Sequence, residues 1–206
     1  MLGIIWPDEE IFPICGVGKT APAVGATFME TLMKKLVRGV MSMALAPLLF
    51  VIAAMSAATA ATPLVDASWL ESKLGDDRLV LIDLRNKLDG GSYETYLEGH
   101  IPSAVHSDYL KDGWRVGRDD VVGLLPEAVQ FEALTRKLGV SGDSHVVLVP
   151  AGVGATDFGS SARAYWTFKV FGHDKVSILD GGFAGWKAAY PDRVETGAPM
   201  APAPGD

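Results

Sequence analysis

Short apolar runs alternate with amphipathic stretches along the chain after Pro63. The runs at 79–83 and 176–180 are almost wholly apolar until a closing aspartate, and the run at 145–150 ends in proline. A run that is apolar at successive positions is typical of a strand buried on both faces of a sheet. These three segments are therefore predicted to be buried strands.

The stretches between these runs have helical periodicity. In one of them, Phe131, Leu134 and Leu138 fall on a single helical face. The predicted helices run from Ala67 to Leu74, from Pro126 to Leu138, from Ser160 to Phe171 and from Phe183 to Ala189. Strands separated by helices indicate an α/β fold, in which helices cover both faces of a parallel sheet.

The segment 33–60 has the layout of a secretory signal peptide: a basic start, a long uncharged run from Gly39 and a small-residue end. We predict cleavage after Ala60, with Ala57 and Ala61 as neighbouring alternatives. The mature protein would then be periplasmic or secreted, without lasting membrane contact. An uncleaved inner-membrane anchor is the other interpretation, because the apolar run approaches the roughly 20 residues that span a bilayer.

Residues 1–32 precede a signal that normally begins at its own methionine. We interpret them as an over-extended start, with Met33 or Met29 as the true first residue. They include the stretch CGVGKT, which has part of a phosphate-binding loop pattern but Pro13 in place of the required glycine. No nucleotide site is assigned to it.

The rest of the chain is predicted to form a domain at 61–194 and a linker or tail at 195–206 that is rich in proline, alanine and glycine. The chain has 18 basic and 25 acidic residues and a net charge of -7, which disfavours nucleic-acid binding. Its one cysteine, Cys15, excludes an intrachain disulfide and any multi-thiolate metal site. No metal and no cofactor are predicted.

Three motifs, in this order, resemble the sequence marks of the rhodanese domain. They are Asp83-x-Arg85, Gly99-His100-Ile101-Pro102-Ser103-Ala104 and Leu179-Asp180-Gly181-Gly182-Phe183-x-x-Trp186. The resemblance extends from Pro63 to Asp192 and implies a rhodanese-like open parallel sheet with helices on both faces. The aromatic-rich stretch 162–173 resembles more specifically the N-terminal, non-catalytic domain of the tandem thiosulfate or 3-mercaptopyruvate sulfurtransferases.

Rhodanese chemistry, as the resemblance implies it, passes a sulfane sulfur through a cysteine persulfide in the loop after the fourth strand. In this chain that loop is 150–159, and it contains no cysteine. The hydroxyls of Thr156, Ser160 and Ser161 cannot replace a thiolate, because an alkoxide holds no stable persulfide. No catalytic residue is therefore predicted, and the expected partner is a catalytic rhodanese domain, in cis or in trans.

The same loop is a candidate anion site, because unpaired N–H groups at a helix start attract oxyanions. The candidate residues are Gly152, Gly154, Thr156, Gly159 and Arg163. The structural alternatives are favoured: Gly152-x-Gly154 is first of all a tight-turn pattern, and Arg163 is better suited to a structural ion pair.

The remaining motif residues are predicted to be structural. Asp83 and Asp180 are expected to cap the following helix or to pair with an arginine, with Arg85 as the natural partner of Asp83. His100 is expected to bond backbone atoms in the turn before Ile101. Structural roles are also predicted for Gly99, Gly181, Gly182 and Trp186, and core or domain-interface positions for Trp166, Phe168 and Phe171.

Two functional hypotheses of different classes follow. In the first, the chain is the regulatory or structural half of an exported sulfurtransferase, inactive without a catalytic domain. In the second, it is a free-standing rhodanese-like module that binds a small anion or a protein partner in the periplasm.

Overall fold

The computed structural model describes residues 60–206. The predicted start, signal segment and membrane anchor, together with Cys15, lie outside the described residues. The elements are β1 (Leu64–Val65), α1 (Ala67–Lys73), β2 (Leu79–Asp83), α2 (Tyr93–Glu98), β3 (Val105–His106), β4 (Val116–Arg118), β5 (Val121–Leu124), α3 (Ala128–Lys137), β6 (His145–Val149), α4 (Ala155–Val170), β7 (Val176–Leu179), α5 (Gly182–Ala189) and a 3-10 helix (Pro191–Arg193). Within this part of the chain, no helix is long and apolar enough to cross a membrane.

Five strands form one sheet in the order β1-β7-β6-β2-β3, and every neighbouring pair is parallel. The longest pairing sets all of β2 beside all of β6, from Leu79 opposite His145 to Asp83 opposite Val149. The strands β4 and β5 form a separate antiparallel hairpin. The predicted parallel α/β fold is confirmed.

Helices cover both faces of the sheet because side chains alternate along the central strands. Ile82 and Leu148 face a core cluster that includes Phe131 of α3 and Phe168 of α4. Leu81 and Val147 face the opposite cluster with Leu70 of α1 and Trp186 of α5. This two-sided burial explains why the strand sequences are apolar at successive positions.

The predicted helix at 160–171 starts five residues too late, since α4 begins at Ala155. Its N-cap residue is Gly154, and Asp157 lies in its first turn. The helix α2, which begins after a capping box formed by Ser92 and Thr95, is not predicted by the hydrophobic pattern. Nor does this pattern predict β1, β3 or the hairpin, whose strands have only two to four residues.

The tail at 195–206 lies against the domain through backbone hydrogen bonds. The backbones of Glu195 and His100 form an antiparallel pair in which each N–H donates to the other residue's carbonyl at 2.9 Å. The Gly197 N–H donates to the Leu97 carbonyl at 2.8 Å. Further along, the Gly205 N–H donates to the carbonyl of Arg136 at the end of α3.

Candidate functional site

Most of the predicted site residues lie at one edge of the sheet. Since β2, β6 and β7 are parallel neighbours, their carboxyl ends lie side by side, and ligands of open α/β sheets bind at such ends. Asp83 ends β2, the loop at residues 150–154 follows β6, and Gly181 and Gly182 follow β7. We call residues 150–154 the β6–α4 loop.

Asp83 and Arg85 form a buried ion pair. The Nη2 atom of Arg85 lies 2.8 Å from Oδ2 of Asp83, and the side chains are 7% and 0% exposed. The same Nη2 donates to the Gly99 carbonyl at 2.7 Å, and the guanidinium lies 4.2 Å from the ring centroid of Phe183. The arginine therefore links the ends of β2 and α2 to the start of α5.

His100 is buried beside this pair and contacts backbone atoms. Its Nδ1 and Nε2 each lie 3.0 Å from a carbonyl oxygen, of Ile101 and of Gly197 respectively. The imidazole stacks on Tyr96 with 4.4 Å between ring centroids. Burial raises the pKa of Tyr96, whose hydroxyl donates to the Ala104 carbonyl at 2.5 Å. These contacts hold the turn after α2.

Asp180 does not cap the helix that follows it, contrary to the expectation. The N-cap of α5 is Gly181, in the left-handed region at φ 72°, and no side chain caps this helix. Asp180 is exposed, and its backbone N–H donates to the Val65 carbonyl. Trp186 of α5 is fully buried and donates its indole N–H to the carbonyl of Arg193 at 3.0 Å.

The β6–α4 loop is held against the start of α5. The N–H groups of Phe183 and Ala184 donate to the carbonyls of Pro150 and Ala151 at 2.8 and 3.0 Å. A Cβ on Gly152, whose φ is +81°, would lie 2.0 Å from the Gly181 carbonyl oxygen. Glycine is required at this position by both conformation and space.

The side chain of Asp157 fills the concave side of this loop. Its Oδ2 accepts hydrogen bonds from the N–H groups of Gly152 and Val153 at 2.5 and 3.0 Å, and its Oδ1 accepts from Gly154 at 2.9 Å. The residue is 3% exposed. Asp157 is not among the residues predicted from the sequence. The available signal was an acidic residue three positions after a glycine N-cap.

The candidate anion-binding residues therefore lie as follows. The amides of Gly152 and Gly154 bind the Asp157 carboxylate, while Thr156 and Gly159 are exposed in the first turns of α4. Arg163 points elsewhere: its Nη2 donates to the Gly123 carbonyl at 2.8 Å, and its guanidinium lies 4.8 Å from the Trp166 ring centroid. The external anion predicted from the sequence would have to displace Asp157 from these N–H groups.

A further carboxylate, that of Asp89, lies near Asp157 and Asp83. Burial raises the pKa of Asp89, and the negative charges of Asp157 and Asp83 raise it further. Asp89 accepts a hydrogen bond from the Gly91 N–H at 2.9 Å. Among the residues that the structure describes, no group of three or more histidine, cysteine or acidic side chains could hold a metal ion.

One face of α4 carries exposed apolar side chains at four- and eight-residue spacing. Phe158, Trp166 and Val170 are 43%, 46% and 47% exposed, and we call them the α4 stripe. Phe168, by contrast, is 1% exposed and belongs to the core, and Phe171 packs partly buried against it. The hydrogen bond from Arg163 to Gly123 joins α4 to the hairpin, where Val122 is 86% exposed.

Comparison with known proteins identifies the domain type. The family model for the rhodanese-like domain matches residues 66–189. The chain is 36% identical over 129 residues to 3-mercaptopyruvate sulfurtransferase of Escherichia coli (strain K12), covering 60% of this chain and 43% of that protein. It is 34% identical over 135 residues to thiosulfate/3-mercaptopyruvate sulfurtransferase 2 of Arabidopsis thaliana, covering 62% and 36%.

Solved structures agree with the sequence comparison. The crystal structure of the 3-mercaptopyruvate sulfotransferase SseA from Escherichia coli superposes with a TM-score of 0.59 at 33% identity, covering 71% of this chain and 54% of that one. The yeast mitochondrial complex I sub-stoichiometric sulfur transferase subunit gives 0.53 at 26% identity, covering 70% and 50%. The chain thus spans less than half the length of these curated relatives and about half of these structures. The family model matches residues 66–189, more than half of the chain, so the chain belongs to the rhodanese-like family.

Proposed function

We propose that this chain is the non-catalytic half of an exported sulfurtransferase that handles sulfane sulfur from thiosulfate or 3-mercaptopyruvate. The names of the relatives support these donors, and the match to less than half of the curated relatives supports a single domain of a tandem protein. Export is inferred from the signal-like segment 33–60 of the sequence.

The observation that carries this proposal is the content of the β6–α4 loop. Sulfur transfer needs a thiolate that becomes a persulfide, and the N–H groups of the loop face a carboxylate instead. The chain has no cysteine after Cys15. Neither nearby serine is suited to hold the sulfur, since Ser160 donates to the Thr156 carbonyl and Ser161 is fully buried within α4.

A catalytic rhodanese domain, in cis or in trans, is the proposed partner. The α4 stripe supports this, since clustered exposed apolar side chains mark interaction surfaces more often than single ones do. The alternative of a free-standing module that binds a small anion gains less support, because Asp157 already occupies the amides of the loop.

A thiosulfate-to-cyanide sulfurtransferase assay tests the proposal. The full chain is expected to form no thiocyanate above the buffer rate, while a catalytic rhodanese assayed in parallel forms it readily. A Cys15→Ser variant is the matched control for the one thiol of the chain. Turnover by the wild-type chain alone contradicts the proposal, and its persistence in the variant would show that a cysteine is not required.

A further inference from the structure

We propose that Asp157 is an internal anion that closes the β6–α4 loop to external oxyanions. We call the N–H groups of Gly152, Val153 and Gly154 the amide cradle. The inference deepens the proposed non-catalytic role and rests on it, since it explains how the loop of this domain is kept from receiving an anionic sulfur donor. The ligand class that the cradle would otherwise take is a small oxyanion such as sulfate or thiosulfate.

The cradle already holds an anion in the structure. Both carboxylate oxygens of Asp157 are bonded, by three N–H donors at 2.5 to 3.0 Å, although the residue is only 3% exposed. Among the described residues, no lysine, arginine or histidine nitrogen lies within salt-bridge distance of this carboxylate. A buried charge needs compensation, so the three N–H groups and the start of α4 provide it.

The first part of the cradle is also held by contacts with α5 that do not involve Asp157. The tight approach of Gly152 to the Gly181 carbonyl leaves no room for the loop to shift toward α5. A Cβ on Gly182 would likewise lie 2.4 Å from the Pro150 carbonyl oxygen. Two backbone hydrogen bonds from α5 fix the first residues of the loop. The Gly152 end of the cradle is therefore expected to stay in place when the Asp157 side chain is removed.

The surrounding charges oppose an external anion as long as Asp157 is present. Asp89 lies close enough for the charge of Asp157 to raise its pKa, after the larger effect of burial. The nearby cation Arg85 is bonded to Asp83. Arg163, on α4, is bonded to Gly123 and stacked on Trp166. Neither arginine is available to attract a second anion to the cradle.

The test is a sulfate titration of the full chain, followed by the amide chemical shifts of the three cradle residues at constant ionic strength. In the wild type these amides are expected not to respond. In Asp157→Ala they are expected to show saturable shifts, with sulfate affinity at least about tenfold higher, because a charge-assisted hydrogen bond is worth that much or more. Asp77→Ala is the matched control, since it removes an exposed carboxylate at the other end of β2 and is expected to behave as the wild type.

Hydrogen exchange of the wild type supplies a measurement that needs no variant. Without added anion, the three cradle amides are expected to be protected, although their residues are exposed, because they donate to Asp157. Fast exchange at these amides overturns the inference, as does saturable sulfate binding to the wild-type cradle with the affinity of Asp157→Ala. Thiocyanate formation, by contrast, would contradict the proposed function and leave the closed cradle standing.

Discussion

Two buried carboxylates at the same end of the sheet are stabilised in different ways. Asp83 faces the guanidinium of Arg85, with 2.8 Å between the bonded nitrogen and oxygen. Asp157 faces three backbone N–H groups and no described cationic side chain within salt-bridge distance. One negative charge is thus balanced by a side chain, and the other by peptide dipoles at the start of a helix.

The difference determines what a substitution leaves behind. Arg85 is 5% exposed, so its removal leaves the Asp83 charge buried without a partner. The residues of the amide cradle are exposed, so removal of the Asp157 side chain leaves donors that water can reach. The loss of Arg85 is therefore expected to cost more stability than the loss of the Asp157 side chain.

Replacement of Arg85 by alanine is expected to have the largest effect on stability. The loss of one partner of a buried pair costs about 3 to 5 kcal/mol, because the other charge stays buried. Urea unfolding of the full chain measures the change in the free energy of unfolding. Arg78→Ala is the control, since the pair that Arg78 forms with Asp76 is exposed, and little change is expected there.

A double variant sharpens this result. Asp83→Asn combined with Arg85→Met is expected to lose less stability than the sum of the two single variants, because no unpaired charge remains. An Arg85→Ala variant that is as stable as the Arg78→Ala control contradicts the assigned importance of the pair.

The second effect in size is that of Asp157→Ala on stability. A loss of about 1 to 3 kcal/mol is expected, since the backbone N–H groups lose a carboxylate acceptor but water replaces part of these bonds. Added sulfate is expected to restore part of the loss, because a ligand that binds the folded state stabilises it. Urea unfolding with sulfate, against chloride at equal ionic strength, measures this. A loss larger than that of Arg85→Ala would invert the comparison.

The sequence predicted the partner of Asp83 but not the role of Asp157, and the reason is physical. An arginine two residues after a strand-ending aspartate is within reach in an extended chain, so the local sequence suffices. The role of Asp157 depends on where α4 begins. With the helix predicted from Ser160, the residue belongs to a loop, whereas the actual start at Ala155 places it in the first turn.

Long-range contacts explain the other limits of the sequence analysis. The three strands with continuous apolar runs were predicted, because burial on both faces leaves a local pattern. Two-residue strands such as β1 and β3 leave none. The sequence predicts an anion site or an ion pair for Arg163, but its partner is the carbonyl of Gly123, 40 residues away along the chain. Only the tertiary structure brings these two groups together.

At the amino end of the sheet the titratable groups in question are two half-buried histidines, His145 and His173. Burial lowers the pKa of His145 below its usual value of 6.5, and the positive charges of His173, Lys175 and Lys73 lower it further, while Asp76 opposes them. The Nε2 of His145 lies 2.9 Å from the Ser177 hydroxyl.

This arrangement predicts the smallest effect, a loss of stability in mild acid. As the pH falls below about 6.5, His145 in the unfolded chain takes up a proton more readily than in the folded chain, so the unfolded state binds more protons and stability decreases. The contribution is fully present above pH 6.5 and is lost as the pH falls toward the lower pKa of the folded state.

The variant His145→Gln tests this. It keeps an N–H donor for Ser177 but cannot titrate, so its free energy of unfolding should fall less than that of the wild type between pH 7.5 and pH 5.5, roughly one unit on either side of the ordinary histidine pKa. Burial also lowers the pKa of His173, which accounts for a remaining slope. An unchanged slope in the variant would show that His145 is as readily protonated in the folded chain as in the unfolded one.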